Sequence, residues 1–132
     1  TYRAARQYKD NAMVFYHLDM YSSAQEYLHK SNKLLLMLYN SEYKTEVEEE
    51  VILNYYIKGV IYAENNNEEK ALENFRIAVD YGDKADTSEG VSRYYFMAVN
   101  DLLEHLKKDP SADASEISKL TKKQKELAKW FR

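Results

Sequence analysis

Apolar residues recur every three or four positions along most of this chain, which is the period of a helix rather than of a strand. Ala5, Tyr8, Ala12 and Phe15 trace one such face and predict a helix from Tyr2 to Leu18. Ala24, Tyr27, Leu28, Leu34, Leu35 and Leu38 trace a second, ending near Tyr39, with Ser22 or Ser23 placed to cap its start. After the polar run Asn40–Lys44, a third helix is expected from Thr45 to Asn65. It is apolar nearly all round (Val51, Ile52, Leu53, Tyr55, Tyr56, Ile57, Val60, Ile61, Tyr62), so it needs neighbours on more than one side. Thr45 followed by Glu48 fits a capping box, and Glu46 to Glu50 complement the positive end of the helix dipole. Asn65, Asn66 and Asn67 read as a turn, Glu68 to Tyr81 as a fourth helix, and Gly82 as the glycine that stops it. A short loop to Asp86 precedes a fifth helix from Thr87 to Lys107; Asp109-Pro110-Ser111 breaks the chain before a sixth from Ala114 onward. The pattern is thus all-α: a stack of three helical hairpins at about 2–40, 45–82 and 87–132.

Composition sharpens this picture. One proline and three glycines are too few for the many turns of a β-sandwich or barrel. The absence of cysteine removes disulfides and thiol catalysis. A chain of 132 residues fits one domain with its own core. The net charge of -3 argues for neither nucleic acid nor a membrane surface as partner of the whole. No apolar run is long enough to span a bilayer, and no signal peptide is visible, so a cytoplasmic location is expected with the periplasm left open. Charge is nevertheless uneven: residues 116–132 carry six basic side chains against Glu116 and Glu126. The first residue is Thr1, and Trp130-Phe131-Arg132 falls within the sixth helical pattern; both lead us to expect a piece of a larger protein.

The strongest motif is Gly59-x2-Tyr62-x8-Ala71-x3-Phe75-x2-Ala78. The first hairpin repeats its offsets 47 residues earlier as Ala12, Phe15, Ala24, Leu28 and Ser31. Self-similarity at a fixed interval marks a repeat architecture. The motif resembles the tetratricopeptide repeat family, most closely over residues 52–85. It lacks that family's closing proline, and its interval exceeds the family's usual 34 residues. The resemblance implies a right-handed solenoid whose first helices line a concave groove that binds protein or peptide segments. Elongated repeats of this kind resemble those of bacterial signalling and transcription-regulatory proteins.

Carried onto this sequence, the groove would be lined by Arg6, Lys9, Met13 and Tyr16 on helix one. Tyr56 and Val60 would follow on helix three, and Arg93 and Asn100 on helix five. The family's carboxylate clamp needs asparagine where Met13 stands and basic residues where Leu53 and Tyr56 stand, so an apolar or aromatic segment is the better fit. No metal is expected: His17, His29 and His105 have no ligand spacing, and Glu46–Glu50 lacks the glycine turn of a calcium loop. No phosphate loop or nucleophile elbow is present, so neither a cofactor nor catalysis is expected. The basic last helix is read as a cap on the stack. A coiled-coil or linker start and a membrane-approaching segment are its alternatives, and nucleic-acid binding is not expected of it. The rival to partner binding is a structural module that forms homo-oligomers.

Overall fold

The computed structural model describes residues 1–131, so Arg132 of the basic tail lies outside the described residues. Among the described residues there are six α-helices: α1 (Tyr2–His17), α2 (Tyr21–Tyr39), α3 (Lys44–Glu64), α4 (Glu68–Lys84), α5 (Arg93–Lys107) and α6 (Ala114–Ala128). A short 3-10 turn, Lys129–Phe131, follows α6. The helices pair as hairpins, α1 on α2, α3 on α4 and α5 on α6, with α2 against α3 and α4 against α5 joining them in chain order.

The interval of 47 residues carries through to backbone geometry. Asp19 and Asn66, one interval apart, are the only non-glycine residues with positive φ among those described, both at 59°. Asp and Asn tolerate this left-handed region better than other side-chain-bearing residues. Each closes its hairpin in the same way: Met20 N–H donates to Phe15 O and Asn67 N–H to Tyr62 O, both at 2.9 Å.

The repeat also carries through to packing. Ala12, Ala24, Ser31, Ala71 and Ala78 are all fully buried where the two helices of a hairpin cross. A Cβ on Gly59 would stand 2.5 Å from the Phe75 ring, so the larger ring is matched by the missing side chain. In the first hairpin the smaller Leu28 shares its cluster with Ala12, where a methyl group fits.

Four expected boundaries are corrected. The fourth helix does not stop at Gly82 but runs to Lys84. Gly82 is buried, and the Tyr95 ring occupies the space its side chain would fill. The fifth helix starts at Arg93 rather than Thr87: Gly90 turns the chain at φ 129°, and Ser92 Oγ accepts from the N–H groups of Tyr94 and Tyr95. Thr45 is not a cap, since α3 begins at Lys44 after Tyr43 and has no side-chain cap. Ser22 and Ser23 lie inside α2, which begins at Tyr21. By contrast Asn67 and Asp113 cap α4 and α6, accepting from Lys70 N–H and Ser115 N–H.

Candidate functional site

The first helices of the three hairpins are tied side to side by long polar side chains. Lys9 Nζ on α1 lies 3.3 Å from Glu50 Oε2 on α3. Two turns along, Tyr16 donates its hydroxyl to Glu64 Oε1 at 2.7 Å. On the other flank of α3, Tyr56 donates to Asp101 Oδ2 of α5, also at 2.7 Å. These partners lie 41 to 48 residues apart in sequence, so the ties join different hairpins.

Each tie perturbs its phenol. The hydrogen bond to Glu64, with burial and the carboxylate's charge, pushes Tyr16 up to about 12. Burial first and the Asp101 hydrogen bond second raise Tyr56 well above the ordinary phenol range. A phenol that donates to a carboxylate must keep its proton, because ionising it would set two negative oxygens face to face. Both tyrosines are therefore neutral struts at physiological pH.

Between the ties lie half-buried apolar side chains. Met13 sits one turn from both Lys9 and Tyr16 on the same side of α1. Leu53 and Val60 follow the same helical row as Glu46, Glu49 and Glu64 on α3. Val60 also packs against the main core together with Tyr56, whose ring is 5.9 Å from that of Phe75. Lys9, Met13, Tyr16, Tyr56 and Val60 are thus brought together on one surface of the α1–α3–α5 side.

The other three expected residues are used elsewhere. Arg6 is exposed and rests over the Tyr2 ring at 5.8 Å. Arg93 lies 4.9 Å from the Phe131 ring centroid, so its guanidinium meets the end of the chain's own tail. Asn100 accepts from Gln124 Nε2 at 2.7 Å and pins α5 to α6. Glu50, Glu64 and Asp101 were missed by sequence reasoning. Nothing local marks them, since a carboxylate on a solvated helix face looks the same whether or not another hairpin brings it a partner.

A second set of ties joins the last two hairpins. Arg76 donates from Nε and Nη2 to the two oxygens of Glu116, each at 3.0 Å. Asp83 accepts from the Tyr95 hydroxyl and lies 2.5 Å from Lys123 Nζ. His105 Nδ1 is 2.6 Å from Glu68 Oε1, which places this histidine in a pair between α5 and the start of α4. Among the described residues, no three His, Asp or Glu side chains are grouped to hold a metal ion. None of the described helices is long and apolar enough to cross a membrane. No family model, no curated protein and no solved structure matches the chain.

Proposed function

We propose that this chain is a non-catalytic module that receives a protein or peptide segment along the side built by α1, α3 and α5. The observation that carries the reading is the set of three cross-helix ties, Lys9–Glu50, Tyr16–Glu64 and Tyr56–Asp101. They hold the first helices at fixed spacing, Lys9 offsetting the charge of Glu50 and the two phenols giving Glu64 and Asp101 a hydrogen bond, while Met13, Leu53 and Val60 stay half-exposed between them. A surface held rigid before binding loses less entropy when it binds. The apolar strip with polar margins suits a segment carrying two or three apolar anchors one or two turns apart. The resemblance of the hairpins to tetratricopeptide repeats supports the same reading by analogy. It also favours a setting in a larger cytoplasmic signalling or transcription-regulatory protein.

The test is selection of peptides on the wild-type chain, followed by fluorescence anisotropy with variants. Met13→Arg with Leu53→Arg, melting as wild type does, is expected to weaken the selected peptides by about tenfold or more. Selected peptides that bind this variant unchanged, or a selection that enriches none, would remove the reading.

A further inference from the structure

The outward face of α6 and the cleft at the top of α3 are complementary, and among the described residues neither has an ion-pair partner of its own. Leu120 and Leu127 turn the apolar face of α6 into the molecule. Lys119, Lys122, Lys125 and Lys129 fall together on the opposite face at helical spacing, and all four are exposed. None of the four forms an ion pair among the described residues, whereas Lys123 on the flank pairs with Asp83. Trp130 follows Lys129, the last lysine of this stripe, in the 3-10 turn and is 59% exposed. Its exposure does not come from a frayed tail: the next residue, Phe131, stacks on Phe96 at 5.1 Å and under Arg93.

The cleft lies where the start of α3, the end of α4 and the loop into α5 converge. Its volume is about 380 Å³, and Glu48, Glu49, Asp86 and Glu89 line it over a floor that includes Ile52 and Tyr95. Among the described residues, no lysine, arginine or histidine lines it. Four carboxylates around apolar walls accept an aromatic side chain flanked by ammonium groups, which is the pattern Trp130 and the lysine stripe display.

We propose that the α6 stripe of one copy docks on the acidic cleft of a second copy of this chain, with Trp130 entering the cleft. The end of α6 and the cleft lie at the same end of the molecule, because Phe131 rests on the first turn of α5. Two copies related by a twofold axis can therefore make the contact twice. The surface is small and highly charged, so the association is weak, fast and salt-sensitive. The cleft adjoins the α1–α3–α5 side at Glu49, but the lysine stripe lies on α6 away from it, so the lysine reversal tests this inference separately from the binding proposed there.

Light scattering coupled to gel filtration tests it on the chain as it is. The mass is expected to rise with concentration from 15.6 kDa toward twice that value at about 50 mM salt, and to return to the monomer at about 500 mM. Lys119→Glu with Lys122→Glu and Lys125→Glu is expected to stay monomeric, as is Glu48→Lys with Glu49→Lys and Glu89→Lys. Mixing these two charge-reversed chains is expected to restore the dimer. Five of the six positions are exposed and Glu48 is half-buried, and melting curves identify any variant that fails to fold. A wild-type chain that stays monomeric under all conditions overturns the proposal. So does a dimer that survives either reversal, or a pair of reversed chains that do not recover one another. A monomer that instead sediments with vesicles containing about one third anionic lipid, through the same lysines, overturns it in favour of a membrane surface.

Discussion

The seam between the first and second hairpins and the seam between the second and third use the same positions of the repeat with opposite chemistry. On α4 the positions that meet the third hairpin include Leu72, Phe75 and Val79, which join Tyr95, Val99 and Leu102 in one continuous apolar core. One interval earlier on α2 stand Gln25, Leu28 and Asn32. Gln25 Nε2 reaches the carbonyl of Lys58, so this row of α2 faces α3. A polar layer runs through the first seam: Asn54 donates to Ser31 Oγ, which donates to the carbonyl of Ala5. The layer splits the apolar contacts into two small clusters, one around Leu35, Val47 and Val51 and the other around Ala24, Leu28 and Ile61.

The polar layer is incompletely satisfied. Asn32 is only 5% exposed, yet both its amide atoms lack a protein partner, as do Asn54 Oδ1 and Gln25 Oε1. An unmet buried amide costs about 1–3 kcal/mol. Lys58 lies beside the same seam, where burial lowers its ammonium below the ordinary lysine range. The second seam is thus held by area and shape, and the first by direction: its hydrogen bonds fix how the hairpins align while adding less net stability. The first seam is therefore expected to open more readily than the second.

Exchanging the two chemistries gives the sharpest test. Val79→Asn sets an amide into the apolar seam and is expected to cost about 3 kcal/mol in urea unfolding. Asn32→Val, the reverse change one interval earlier, is expected to stabilise by about 1 kcal/mol. A loss on Asn32→Val would show that the amide is satisfied by bound water and that the first seam is not the weaker one. Hydrogen exchange should also rank the seams in wild type, with amides of α1 and α2 protected less than those of α4 and α5. Equal protection throughout would erase the difference.

The smallest expected effect is alkaline. The folded state raises the phenols of Tyr16, Tyr56 and Tyr95 above the usual value near 10. Groups raised in this way give stability that is whole below about 10 and is lost as pH climbs through the folded values, which for Tyr16 means toward about 12. Urea midpoints are therefore expected to be flat from about pH 8 to 9.5 and to fall above that. Tyr56→Phe is expected to make the fall shallower, and an unchanged slope would detach the Asp101 tie from alkaline stability.

The number of helices and the three-hairpin order were legible in the sequence because the apolar rows are long and their period is unambiguous. The interval of 47 was legible too, and the small residues it aligned, Ala12, Ala24 and Ser31 with Ala71 and Ala78, are buried. Boundaries failed where one residue type serves two purposes. Gly82 looks like a helix stop and is instead a notch for Tyr95; Thr87 looks like a helix start, while Ser92 does the capping. The candidate surface was half legible. Lys9, Met13, Tyr16, Tyr56 and Val60 come from carrying the repeat family's groove onto the first helices, but their carboxylate partners depend on how hairpins slide past one another. No local pattern encodes that.

Each helix packs chiefly on the helix next to it along the chain. A chain emerging from its N-terminus meets the contacts it needs in the order in which they are made, without waiting for a distant segment. The first hairpin, with the weaker seam, would then serve as a loose starting platform. The Leu72–Phe75–Val79 row would be the point at which assembly becomes hard to reverse, and Asp83 would be the last acceptor filled, once α6 delivers Lys123.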